Sequence, residues 1–217
     1  MDRPQPVTAE LEADLRNLRQ LNRYFGSYRL IEYFLRKWIA PGSRVRVLDL
    51  ATGSGDIPRF VVDYGRKIGA AVTVHAVDQQ RSTLEIARSL SADYPEIDFR
   101  QGDILSFAPH ETYDVVLCSL ALHHFSEPDA IALLRRCREL SARYVLVSDL
   151  RRGPLASLGV YLLTALIFRE PMTQTDARRS AERAFSFDEF RSLAERAGWK
   201  NFGHARFAFA RQAIWLE

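Results

Sequence analysis

Lysine is nearly missing from this chain: of 217 residues only Lys37, Lys67 and Lys200 are lysines, and arginine supplies the other basic charge. The arginines are scattered and the net charge is only +3. No basic stripe interleaved with aromatics is present, so a nucleic-acid partner is not expected despite a pI near 9.0. Cysteine is equally scarce. Cys118 and Cys137 lie in apolar segments without metal-ligand spacing and read as buried, reduced thiols. The first twenty residues, MDRPQPVTAELEADLRNLRQ, are charged from the start and lack the apolar stretch of a signal peptide, so the expected address is cytoplasmic. No apolar run reaches the roughly 20 residues that span a bilayer. The nearest, residues 154–168, has arginines at both flanks and reads as a buried helix. A lining for an apolar substrate, a homodimer face and a membrane-surface patch are the alternatives for it.

What is present fits one globular domain: 47% hydrophobic and 26% charged residues can build a substantial core. Two stretches with apolar residues three and four apart, 10–25 and 27–39, predict helices ahead of the first strand. An alternation follows. Strands are expected at 45–50, 71–78, 97–103, 113–120 and 143–150, with helices at 55–68, 81–94 and 129–140 between them. Strands alternating with helices imply parallel βαβ units, and wholly apolar strands imply a sheet covered on both faces. Near the end, Ser186 and Glu189 form an S-x-x-E capping box, and Gly198 suits the helix terminus. Two strand-like stretches, 199–206 and 207–217, leave so short a link that only an antiparallel pair can form.

The links after the strands fall where open α/β sheets bind ligands. After Asp49 comes Ala51-Thr52-Gly53-Ser54-Gly55, a small-residue turn that lets a ligand approach the backbone and the next helix N-terminus. No G-K-[ST] follows, so it is not a P-loop, and Pro58 stands where a dinucleotide fingerprint needs glycine. Asp78 ends its strand where a carboxylate can accept both hydroxyls of a ribose. Asp103 can accept from an adenine amino group while Ile104 packs on the ring. Together these describe a nucleoside.

These stretches, with the Leu122-His123-His124-Phe125 segment after the fourth strand, resemble the class I S-adenosylmethionine-dependent methyltransferases over roughly residues 45–150. The family often has glycine where this chain has Ala51. The resemblance implies an α/β, Rossmann-like, doubly wound, seven-stranded and mostly parallel sheet, with an antiparallel strand near the C-terminus and a helical N-terminal lid. It implies S-adenosylmethionine as cofactor and S-adenosylhomocysteine as product. Asp49 and the loop Ala51, Thr52, Gly53 and Gly55 would hold the methionine portion. Asp78 with Gln79 would hold the ribose, Asp103 with Ile104 the adenine, and Ser119 would complete the cofactor site. The division expected is a lid at 1–40, a cofactor-binding core at 41–150, an acceptor-binding insertion at 151–185, and a terminal helix and strands at 186–217.

The acceptor is read from the residues after the fourth strand. Ser119-Leu120-Ala121-Leu122 stands where amide and adenine methyltransferases resemble one another in N/D-P-P-Y/F. Cys118-Ser119 and Asp149-Leu150 stand where catechol-type enzymes keep metal ligands, so no metal is expected. A phenol must lose a proton of pKa about 10, and histidine suits that task. His123 is the expected base, ahead of His124. Tyr24, Tyr28, His124 and Arg151 are expected to face the acceptor, a small hydroxylated molecule of aromatic or polyketide type. The alternatives are N- or C-methylation of a small metabolite, a catalytically silent scaffold with this fold, and, more distantly, an NAD-dependent oxidoreductase.

Overall fold

The computed structural model describes residues 6–109, 111–153 and 171–217. The apolar stretch 154–168 and His110 lie outside the described residues. Two helices, α1 (Ala9–Tyr24) and α2 (Ser27–Trp38), precede the sheet. Then follow β1 (Arg44–Leu50), α3 (Asp56–Ile68), β2 (Ala71–Asp78), α4 (Arg81–Leu90), β3 (Ile97–Gln101) and β4 (Tyr113–Ser119). A 3-10 turn (Leu122–His124) leads into α5 (Glu127–Leu140) and β5 (Ser141–Leu150). The C-terminal part holds α6 (Pro171–Arg183), α7 (Phe187–Arg196), β6 (Gly203–Phe207) and β7 (Arg211–Leu216).

The seven strands lie in the order β3-β2-β1-β4-β5-β7-β6. β1 to β5 are parallel, and β7 runs antiparallel to both β5 and β6. This is the seven-stranded, mostly parallel, doubly wound sheet the sequence implied. The apolar strands divide their side chains between two cores, as a period of two requires. Val47, Leu117, Leu146 and Ala213 meet Leu30, Phe34, Val61 and Val62 of α2 and α3 on one face. Leu48, Val116, Val147 and Ile214 meet Leu133, Leu134 and Phe190 of α5 and α7 on the other. Cys118 and Cys137 sit in this second core as free thiols, and burial pushes Cys137 up to about 12.

β1 is flanked by β2 on one side and β4 on the other, so consecutive connections leave it in opposite directions. That topological switch opens a crevice at the strand C-terminal ends. α1 packs against α2 and α6, and α6 also lies against the 3-10 turn.

Several boundaries differ from the sequence-based expectation, each for a visible reason. β3 stops at Gln101: the Gly102 N–H makes its last bond to β2, at the Asp78 carbonyl (3.0 Å), and Asp103 then folds the chain into a turn by accepting from Leu105 N. The terminal hairpin is later and tighter than 199–206 and 207–217 imply. Phe209 and Ala210 adopt left-handed φ values of 56° and 54° to make its turn, and β7 starts only at Arg211. The helix α6 forms within the 151–185 stretch, where the sequence pattern predicts no helix over 171–183.

The Ser186 capping box is formed: the Glu189 N–H donates to Ser186 Oγ at 3.3 Å, and Glu189 Oε2 accepts from Ser186 N at 2.7 Å. Gly198 follows the C-cap with φ +82°. Ser186→Ala should therefore cost about 1 kcal/mol. A lowered urea midpoint with unchanged slope is the expected readout, and Ser186→Asp should restore most of the loss.

Candidate functional site

β1 ends in a buried acid. Asp49 is 2% exposed, and its Oδ2 has no hydrogen-bond partner, nor has the buried Oγ1 of Thr52. Burial pushes the Asp49 carboxyl up to about 8, and the nearby Asp56 and Asp78 add to the shift. Thr52 opposes it from close by without completing a hydrogen bond. The chain then turns through Ala51 at φ +58°, a left-handed conformation that costs an L-residue about 1–2 kcal/mol. This is the position where the resembling family often carries glycine. Gly53 and Gly55 are also left-handed, at φ +55° and +70°. A Cβ on Gly53 would meet nothing within 4 Å, so its backbone borders open space. A Cβ on Gly55 would strike the Phe99 ring at 2.8 Å.

Asp78 binds the loop to β2. The Gly53 N–H donates to its Oδ2 and the Gln80 N–H to its Oδ1, both at 2.9 Å. Burial raises the Asp78 pKa against these bonds. Each carboxylate oxygen has lone-pair capacity beyond its one backbone donor.

The N-terminal helices reach the same loop through Asp56, the first residue of α3. Asp56 Oδ2 accepts from Asn22 Nδ2 at 2.9 Å and from the Tyr28 hydroxyl at 3.1 Å. Tyr28 also stacks on Phe60, with ring centroids 4.7 Å apart. Burial first, then the Asp56 charge, raises the Tyr28 pKa well above the ordinary phenol value.

At the end of β4 the chain leaves through Leu120 at φ +56°, and the 3-10 turn carries His123 back over β5. The His123 backbone N–H donates to Asp149 Oδ2 at 2.9 Å, and its Nδ1–H donates to Asp149 Oδ1 at 2.6 Å. A carboxylate can only accept here, so Nδ1 carries the proton of this bond. Nε2 is buried and has no partner. Burial works to raise the Asp149 pKa, but His123 and the Leu150 N–H outweigh it, and the net shift is downward.

Asp49, Thr52, Gly53, Gly55 and Asp78 thus surround one turn, and His123 is held on the adjoining strand end. Ser119 lies between them and accepts from the Ser148 hydroxyl at 3.1 Å. Ile104 is buried in the core beside Val77. Asp103 is exposed, and its carboxylate accepts from Leu105 N at 3.0 Å and from the Ser106 hydroxyl at 3.3 Å within its own turn. Gln79 is exposed. Tyr24 is 64% exposed beside Arg23, and Phe25 meets Phe209 edge-on. His124 tilts against His123 with centroids 4.2 Å apart. Arg151 extends from the end of β5. Among the described residues no group of three or more His, Cys, Asp or Glu is arranged as metal ligands. Sequence reasoning missed the Asp56 anchor and the Asp149 partner of His123. The second was findable, because neighbouring strand ends must bring the two together.

Residues 47–143 match the family described as Methyltransferase domain. A 2-phytyl-1,4-naphtoquinone methyltransferase of Thermosynechococcus vestitus is 33% identical over 87 residues, 39% of this chain and 37% of the relative. The match thus spans little more than a third of that relative's length. The plantazolicin methyltransferase BpumL, solved with S-adenosylhomocysteine, superimposes with TM-score 0.71 at 13% identity, covering 96% of this chain and 89% of that one. An O-methyltransferase family 2 protein of Planctomyces limnophilus, solved with apigenin, gives TM-score 0.67 at 17% identity over 97% and 62%. Residues 47–143 thus carry a methyltransferase domain, and the whole chain has the fold of solved S-adenosylmethionine-dependent methyltransferases. The site residues fit that cofactor: the turn offers two buried, unpartnered oxygen atoms and an open backbone edge at Gly53.

The raised Asp49 pKa has a sign. Between the ordinary value of 3.8 and about 8 the folded chain keeps a proton that the unfolded chain releases. This group therefore makes stability fall as pH rises through that window, and adds no slope above it. In thermal melts without cofactor, Asp49→Asn should flatten the decline from about pH 4 to 8 and melt higher than wild type at pH 8. An unchanged pH profile would place the Asp49 proton elsewhere.

Proposed function

We propose that the chain methylates a hydroxyl group of a small aromatic or polyketide-derived molecule, without a metal ion and with His123 as general base. The observation that carries this reading is the His123–Asp149 pair, which fixes the tautomer and leaves a buried acceptor nitrogen, Nε2, with no structural partner. The quinone named for one relative and the apigenin bound to a structural neighbour are both aromatic, which supports the acceptor class. The cytoplasmic address and a role in secondary metabolism belong to the same proposal.

When bound, S-adenosylmethionine supplies an activated methyl group and a neutral thioether leaving group. Asp49, Thr52 and the turn through Gly55 would hold its methionine portion, Asp78 and Gln79 its ribose, and Asp103 and Ile104 its adenine, beside Ser119. Tyr24, Tyr28, His124 and Arg151 would border the acceptor. Asp149 positions the imidazole. His123 Nε2 takes the hydroxyl proton as the acceptor oxygen becomes nucleophilic, and the Asp149 carboxylate stabilises the imidazolium that forms. Alignment on a rigid strand end contributes much of the rate, so the base is important without being indispensable.

The test is a rate-against-pH series with a phenolic acceptor. His123→Ala should lose about 100- to 10,000-fold and its acidic limb, with Asp149→Asn similarly impaired and His124→Ala much less so. S-adenosylhomocysteine affinity, measured by calorimetry, should be unchanged in all three. A His123→Ala protein with wild-type rate and acidic limb would make His123 structural.

A further inference from the structure

Arg211 opens β7 and pairs across the sheet with Leu150, the residue after Asp149. It is only 5% exposed. A guanidinium has five N–H donors. The Arg211 side chain uses one, from Nε to the Phe25 carbonyl at 3.2 Å, and makes no other hydrogen bond to the described residues. Burial pulls its pKa down to about 10, against the attraction of Asp149, so it remains a cation at neutral pH.

Arg151 lies in the same corner. Its N–H donates to the Ala210 carbonyl at 2.7 Å, which ties it to the residue before Arg211. Its Nε is buried without a partner. Neighbouring arginines are treated differently by the fold. Arg152 is gripped by both oxygens of Glu189 at 2.6 and 2.8 Å, and Arg59 donates to the Ser54 carbonyl and to Ser91. The carboxylate near Arg211 is Asp149, which already serves His123 twice and the Leu150 N–H. Among the described residues, the carboxylate whose charge reaches Arg211 is therefore already committed to other donors. A buried cation without a paired anion is costly, and the planar fork of arginine matches a carboxylate in two parallel bonds.

We propose that the methyl acceptor is itself an anion, an aromatic hydroxy acid whose carboxylate is held by Arg211 with Arg151 at the β5–β7 corner while its hydroxyl meets His123. This rests on the methyltransferase reading above and narrows its substrate class. Arg211 is the specificity residue: it selects charge and turns the ring.

The test is calorimetry on the full chain saturated with S-adenosylhomocysteine, using matched pairs of 4-hydroxybenzoate with 4-hydroxybenzamide and 6-hydroxy-2-naphthoate with its amide. Wild type should bind an acid about ten-fold or more tightly than its amide, the effect of a hydrogen bond to a charged group. Arg211→Gln should bring the ratio near one, Arg211→Lys should restore part of it, and Arg151→Gln should reduce it. Should Arg211→Gln fail to fold, the wild-type ratio and the Arg151→Gln ratio still decide. Absence of acid preference in both wild-type pairs, including absence of binding, overturns the proposal, as does a preference that survives every arginine variant. Failure of S-adenosylhomocysteine to bind would instead defeat the methyltransferase reading itself.

Discussion

Crowding of carboxyl groups at one edge of the sheet is the constraint on which the rest of this structure depends. Asp49, Asp56 and Asp149 are all buried, and Asp78 is largely so, at the C-terminal ends of β1, β2 and β5 or, for Asp56, just beyond β1. Each must be neutralised or paired, because desolvated charge is expensive. The fold gives each a different answer. Asp78 takes backbone N–H groups, Asp56 takes Asn22 and Tyr28 from the N-terminal helices, and Asp149 takes an imidazole. Asp49 receives no completed hydrogen bond at Oδ2, and its answer is a proton. The unanswered group is the one most ready for a cationic ligand.

Much of this was legible in the sequence because it rests on local rules. Apolar strands alternating with helices fix a parallel sheet, and the small-residue turn after Asp49 marks its ligand edge. The Ser186 box and the short C-terminal link fix the last helix and the antiparallel strand. Other features were hidden for equally physical reasons. The Asp56 anchor joins residues 34 and 28 positions apart, and nothing in local spacing announces such a contact. Asp149 and its partner His123 lie 26 residues apart on neighbouring strand ends, and nothing in the local sequence pairs them. Arg211 reads as one arginine among many until the fold buries it. The left-handed turns at Ala51, Leu120, Phe209 and Ala210 were invisible because L-residues seldom adopt them without tertiary support.

Strain and unsatisfied polarity concentrate at the same edge. Ala51 and Leu120 take left-handed conformations at the exits of β1 and β4, the two strands that flank the topological switch. Three unpartnered atoms, Asp49 Oδ2, Thr52 Oγ1 and His123 Nε2, lie beyond the same strand ends. A sheet buried on both faces by well-packed helices is stiff enough to hold these local costs.

The Asp56 anchor also decides what counts as a module. The stretch that matches the family, residues 47–143, contains the turns after β1, β2 and β3 but neither α1, α2 nor β7. Cut there, the chain would leave Asp56 without Asn22 and Tyr28, strip α2 from the face of α3, lose most of β5 with Asp149, and leave β4 as an open edge. A chimera that borrows a different N-terminal segment must bring donors to the positions of Asn22 and Tyr28, or the turn it is meant to cover loses its footing. In this chain the recognisable unit of sequence is smaller than the unit of folding, and exchange of parts across homologues is limited by one carboxylate.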